Sequence, residues 1–332
     1  MQNLPYSKGP AFQSASVRPP RLLTALAAWT AAIVLLGVAP RLHCDDTSTG
    51  PFSFAAFGDT PYFAFEQVRL EKLIAEMNAE SLAFVLHIGD IKSSRDRCDD
   101  GLYLARKQLF DSIAHPFVIT PGDNDWTDCH RKGGGEYDPL ERLRYFRTLF
   151  YSVPPGLAIE RESAQSGFAD YVENARWTIG QILFVTVHVV GSNNNLGRTV
   201  EADEEYRSRN TADLYWVRES FSLARERGLL GVVVAWHADP RFELPTARQA
   251  RSGFGDIVQA LREETIAFGR PVLLIHGDSH IWRLDHPLRD PDSGTRIPTF
   301  TRLEVFGSPT AGWARVTVDP GSTSLFAIEA RK

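Results

Sequence analysis

The sequence predicts an α/β fold, built either on one mixed sheet or on two sheets packed face to face between helices. Three observations carry this. Short apolar strands alternate with helical stretches through most of the chain. The last third alternates apolar and polar residues like paired strands. No Pro/Gly/Ser linker divides residues 51–332, which therefore read as one large domain. With 332 residues, 43% hydrophobic and 23% charged, the chain can fill such a core, and disorder, collagen and coiled coil are excluded for the whole. Lys+Arg 36 against Asp+Glu 41 leaves a net charge of -5, so no stoichiometric nucleic-acid partner is expected. No internal repeat is visible, which removes solenoids and propellers.

In order, residues 1–21 are polar and carry Lys8, Arg18 and Arg21, and read as a cytoplasmic tail. The 19 residues from Leu22 to Pro40 are uncharged and close on Arg41, nearly enough for a spanning helix. They read as a transmembrane anchor or a signal segment. Gly37-Val38-Ala39 suits a peptidase, but Pro40 would follow the cut directly, which tips the reading to an anchor. Either way the body is expected outside the cytoplasm, attached to the inner membrane through residues 22–40 if uncleaved and secreted or periplasmic otherwise.

Phe52–Phe57 reads as a strand. Phe65–Asn78 reads as a helix with Val68, Leu70, Leu73, Ile74 and Met77 on its inner side. Strands follow at Leu82–Ile88, Phe117–Thr120 and Ile182–Val190, with helices at Leu102–Ile113, Asp138–Phe150 and Glu201–Arg227. Gly231–Trp236 and Pro271–Ile275 are buried strands on either side of a helix over Phe254–Phe268. Arg302–Phe306, Trp313–Asp319 and Thr323–Ile328 read as antiparallel strands. Cys98 and Cys129 both fall in polar loops after apolar strands, which suggests a disulfide in an oxidising compartment. Without a Cys-x-x-Cys, zinc binding by cysteine is not expected.

Five strand ends finish in potential ligands. They are Phe57-Gly58-Asp59, His87-Ile88-Gly89-Asp90, Gly122-Asp123-Asn124-Asp125, Val234-Ala235-Trp236-His237 and Gly277-Asp278-Ser279-His280. Ligands of open α/β sheets bind at the carboxyl edge, and a glycine before the ligand eases a sharp turn. Carboxylates and imidazoles together suit metals of hard to intermediate character. Nucleophile-elbow, phosphate-loop and His-Glu-x-x-His motifs are lacking.

The ordered blocks, over about Phe52 to Trp282, resemble those of the calcineurin-like metallophosphoesterases, with spacing most similar to purple acid phosphatases. The resemblance implies a four-layer α/β/β/α sandwich with two mixed sheets and a centre of two metal ions (Fe, Mn or Zn). Asp59 and His280 would hold one ion and Asp123, His237 and Asp278 the other, with Asp90 bridging. It implies hydrolysis of a phosphoester on a small molecule or a macromolecule.

The departures shape the expectation. Asp123 replaces the family's Asn ligand, Asn124 its catalytic His, and Asp278 the first His of the last block. Thr60-Pro61 follow Asp59 where many members have x-His. Ser93 stands where purple acid phosphatases place a Tyr, so no charge-transfer colour is expected. Four carboxylates bring about -4 against about +4 for two divalent ions, twice the family's negative charge. Three responses follow: a trivalent ion, a monoanionic diester substrate, or nearby cations, for which Lys92, Arg95 and Arg97 are candidates.

Asn124 can bind a phosphoryl oxygen but cannot act as an acid, so His87, His188 or His276 would protonate the leaving group. His188 leads because the polar loop Gly191–Asn195 follows it. Gly133-Gly134-Gly135 reads as a flap. The competing reading is a catalytically impaired member serving as a metal-dependent binding or surface protein. Acids at every replaced ligand position argue for retained metal binding.

Overall fold

In the computed structural model, which describes residues 50–332, strand β1 (Phe52–Phe57) opens a five-stranded sheet. The tail and the anchor or signal segment lie outside the described residues. β1 is followed by the helix Ala64–Ala79, β2 (Val85–His87), the helix Asp100–Phe110 and β3 (Phe117–Ile119). The helix Pro139–Phe150 starts at Asp138, whose carboxylate caps the amides of Leu140 and Glu141, with Pro139 in the first turn.

The second sheet is built from β4 (Glu160–Arg161), β5 (Ala175–Ile179), β6 (Ile182–Thr186), β7 (Gly231–Ala235), β8 (Val272–His276), β9 (Arg283–Asp285) and β10 (Phe300–Glu304). The chain then returns to the first sheet as β11 (Trp313–Val318) and β12 (Phe326–Arg331). The strand orders are β12-β11-β1-β2-β3 and β4-β5-β6-β7-β8-β10-β9. Both sheets are mixed: β1, β2 and β3 run parallel, as do β6, β7, β8 and β10, and the remaining pairs are antiparallel.

Strand alternation sorts the side chains into layers. Phe54 and Ala56 of β1 face Phe184, Val233, Leu273 and Leu303 of the other sheet. Ala55 and Phe57 face Leu70, Leu73 and Met77 of the helix Ala64–Ala79. On the far side, Val232, Val234, Val272 and Leu274 pack on Trp216 and Phe221 of the helix Val200–Glu226 and on Ile257 and Leu261 of the helix Gly255–Phe268. The result is the α/β/β/α sandwich.

Three expectations need correction. Val68 is exposed, because the apolar stripe of its helix is narrower than the count of apolar residues. The stretch Arg302–Phe306 becomes β10, shifted to Phe300–Glu304, and it runs parallel to β8, which single-strand alternation cannot reveal. Strand β6 stops at Thr186, where the chain leaves the sheet toward its carboxyl edge.

Candidate metal centre

The parallel strands of both sheets end at one edge, and each ligand block emerges there. Four of the six candidate ligands hold left-handed backbones: Asp59 (φ 52), Asp90 (φ 59), Asp278 (φ 76) and His280 (φ 64). Asp and His tolerate this region better than most residues, at a cost the surrounding contacts must cover. Asp59 is fixed by its N–H on the Gly89 carbonyl at 3.0 Å and its own carbonyl under the Ser308 N–H at 2.9 Å. The glycines next to the ligands serve mainly as space. A Cβ on Gly122 would fall 2.0 Å from Asp90 Oδ1, and one on Gly277 2.1 Å from Asp59 Oδ2.

Both imidazoles are set by their second nitrogen. His237 Nδ1 donates to the Ile88 carbonyl at 2.8 Å and His280 Nδ1 to the Ser308 carbonyl at 2.7 Å. Each Nε2 is thereby turned into the cluster, the arrangement of metal-binding histidines. His237 Nε2 lies 3.0 Å from Asp123 Oδ1, 3.5 Å from Asp90 Oδ1 and 3.8 Å from Asp278 Oδ1. His280 Nε2 lies 3.5 Å from Asp59 Oδ1. Two groups have donor atoms close enough to hold an ion: Asp59, Asp90 and His237, and Asp123, His237 and Asp278. His237 belongs to both and sits nearest Asp123.

The electrostatics call for cations. Burial, with Asp123 and Asp125 nearby, drives the Asp90 carboxyl well above its usual range even though His237 pulls it down. Burial and Asp123 raise Asp278 to about 6. Burial works to lower the His237 imidazole, yet Asp90, Asp123, Asp59 and Asp278 hold it far above its ordinary value. Buried carboxylates facing one another, with imidazole Nε2 atoms among them, are a donor set that fits metal ions.

Asp125 locks the two Gly-Asp loops together. Its carboxylate accepts from the N–H groups of Asp90 and Ile91, both at 2.9 Å, and of Gly122 at 2.7 Å. Asn124 donates its backbone N–H to Asp90 Oδ1 at 2.9 Å and its side-chain amide to Asp90 Oδ2. It orients the proposed bridging carboxylate.

Several candidates lie elsewhere. Lys92 is fully buried beneath the loops, with Nζ on the carbonyls of Ser93 and Asp96, both at 3.2 Å, so it offers nothing to a substrate. Arg95 is exposed, without a side-chain bond to the described ligands, and Arg97 pairs with Asp99 at 3.2 Å. His188 turns inward, its Nδ1 on Glu173 Oε1 at 2.6 Å and its ring against Trp126, and burial lowers it to about 4. His87 and His276 are buried and neutral, each lowered by burial to about 3. Alternation along β2 and β8 sends the His87 and His276 rings to the core, and His188, past the end of β6, is turned inward by Glu173. Cys98 and Cys129 are joined, which ties the loop before the helix Asp100–Phe110 to the 3-10 turn Thr127–His130.

No family model and no curated protein sequence matches the chain. Among solved structures, that of PhoD aligns with a TM-score of 0.54 at 13% identity, over 85% of this chain and 68% of PhoD. The chain has the calcineurin-like metallophosphoesterase fold. A 5'-nucleotidase from Candida albicans SC5314 aligns with a TM-score of 0.44 at 13% identity, over 86% of this chain and 51% of that one. Wild-type Vps29 from Entamoeba histolytica, complexed with Zn2+, gives 0.26 at 10% identity, over 84% and 98%.

Within this sandwich, residues outside the strand-end blocks also reach the site. The Tyr62 hydroxyl donates to Asp90 Oδ2 at 2.8 Å, accepts from the Asn124 amide at 3.1 Å and lies 3.5 Å from His280 Nε2. Ser93, not a phenol, stands three residues after Asp90, and the phenol at the site stands three residues after Asp59. Ser192 donates to Asp123 Oδ2 at 2.8 Å from the loop Gly191–Asn195, which reaches the sheet edge as its polarity suggested.

Proposed function

We propose that the protein is an exported, metal-dependent phosphoester hydrolase working through a dinuclear centre. The observation that carries this is the two Asp/His groups at the strand ends, which share His237, with the Nε2 of His280 3.5 Å from Asp59 Oδ1 beside them. Asp59, Asp90 and His280 would hold one ion, and Asp90, Asp123, His237 and Asp278 the other. When bound, such ions lower the pKa of a water and draw charge from the phosphoryl group.

The chain's own residues supply position. Asp90, the proposed bridge, is held by the Asn124 backbone and amide and the Tyr62 hydroxyl, which restrain its carboxylate. Asp125 fixes the Asp90 and Asp123 loops relative to each other. In the reaction a water oxygen bonds to phosphorus as the ester P–O bond breaks, and the departing oxygen takes up a proton. Support for export comes from the uncharged segment 22–40, outside the described residues, and from the Cys98–Cys129 bridge. No helix of the described residues is long and apolar enough to cross a membrane.

The test is metal analysis of the purified full chain, with hydrolysis of p-nitrophenyl phosphate and bis-p-nitrophenyl phosphate as the two activities. Two ions per chain and chelator-sensitive turnover are expected. Bound metal without turnover would favour the binding-protein reading, for which the observation is that the Asn124 amide is already spent on Asp90 and Tyr62. No bound metal would overturn both.

A further inference from the structure

A site this rich in carboxylates needs a cation facing the substrate, and the basic residues after Asp90 do not provide it. Arg131 does. It follows the turn Thr127–His130, which carries the chain away from Asp123. Its Nη1 pairs with Asp128 Oδ2 at 2.5 Å, and its Nη2 donates to Ser192 Oγ at 3.2 Å. That hydroxyl donates to Asp123 Oδ2 at 2.8 Å, with Asp128 Oδ1 farther off at 3.3 Å, and its lone pairs accept from Arg131. The guanidinium is thus two hydrogen bonds from a proposed metal ligand. Asp128 is buried, whereas the Arg131 side chain is 46% exposed, so one edge is gripped and the remaining N–H groups are open.

Both supports are rigid. The turn is pinned through Cys129 to Cys98. Ser192 opens a run of four left-handed residues, Ser192–Asn195, with φ between 52 and 66. Such a run is unfavourable for non-glycine residues, and it is held by Asn194. The Asn194 amide donates to the Gly253 carbonyl at 3.0 Å, and its Oδ1 accepts from buried Arg209 at 2.7 Å. Gly191 lets this run close on the site, since a Cβ there would lie 2.7 Å from both Asp123 Cγ and Asp278 Oδ1.

We propose that Arg131 binds a non-bridging phosphoryl oxygen of the substrate and thereby admits the dianionic end of a phosphomonoester to an acidic site. This rests on the hydrolase reading. A guanidinium fixed two hydrogen bonds from Asp123 offers N–H donors on the side where Asp123 and Asp278 have added negative charge, and its fork geometry matches phosphate oxygens.

The experiment uses the metal-loaded full chain, with inorganic phosphate as a competitive probe beside monoester and diester turnover. Arg131→Ala should keep its metal content while KM for the monoester and the inhibition constant of phosphate rise about ten- to a hundredfold. The diester should lose less, and Arg131→Lys should recover part of the loss. Arg131→Ala also strands Asp128, so the double variant Asp128→Asn/Arg131→Ala decides between roles. A defect that persists there supports direct binding; one that disappears shows that Arg131 only neutralised Asp128 and overturns the proposal. Unchanged phosphate inhibition in Arg131→Ala with metal retained overturns it too, while leaving the hydrolase reading intact. A wild type that neither binds metal nor turns over removes both.

Discussion

Opening the Cys98–Cys129 bridge should cost both stability and substrate binding, for separable reasons. The bridged residues are 31 apart. The chain-entropy relation gives about 4 kcal/mol for a loop of that length, from freedom returned to the unfolded chain. Against an ordinary domain stability of about 5–15 kcal/mol this is a large fraction, and for a domain of this size it amounts to about 7 °C in Tm. Both cysteines are fully buried. Cys98→Ala/Cys129→Ala is therefore the cleaner perturbation, since serine would add unpaired hydroxyls to the core. Guanidinium unfolding of this variant and the oxidised wild type, at equal metal loading, reads the difference. Because the bridge anchors the turn bearing Asp128 and leading to Arg131, the variant should also show a raised KM for monoesters with unchanged metal content. A stability change under about 1 kcal/mol would refute the entropy argument, and free thiols in exported wild-type protein would remove its premise.

Asp278→Ala should release one ion and most of the activity. Asp278→His should keep both ions while raising kcat/KM for a monoester relative to a diester, because one negative charge leaves the site; metal counting beside both assays checks this. Tyr62→Phe removes the hydroxyl on Asp90 Oδ2 and should weaken metal affinity or turnover about ten- to a hundredfold, measured by metal titration. His87 is kept neutral by burial at about 3 and accepts the Gly89 N–H at 3.0 Å. Its folded pKa lies below the unfolded value, so its contribution is complete above about pH 6.5 and is lost as pH falls toward 3. Between about pH 6.5 and 4.5 the wild type should lose about 2–3 kcal/mol more than His87→Asn, which keeps an acceptor but does not titrate, by denaturant unfolding at each pH.

The strand-end blocks were legible in the sequence because their logic is local. An apolar run, a turn and a ligand are consecutive residues, and parallel strands deliver all their carboxyl ends to one edge. Donor atoms of Asp59, Asp90 and His237, and of Asp123, His237 and Asp278, accordingly come within reach of one another, and the cysteine loops meet. The α/β alternation was equally plain, since burial on two faces writes continuous apolar strands. Which strand pairs with which was not: β10 lies parallel to β8 only because the chain crosses over through β9, and β11 and β12 leave the second sheet for the first. The surroundings of the ligands also belonged to the tertiary structure. Tyr62, Ser192 and Arg131 lie 28, 69 and 3 residues from the carboxylates they bond. Arg131 is the instructive case, because its pairing with Asp128 is local while its place beside Asp123 depends on a serine from the loop that follows β6. Lys92 shows the converse, a basic residue two positions past a ligand that the left-handed turn at Asp90 buries. A side chain's chemistry is read from its identity, but the direction in which it points is set by backbone turns and by partners that only folding brings within a few ångströms.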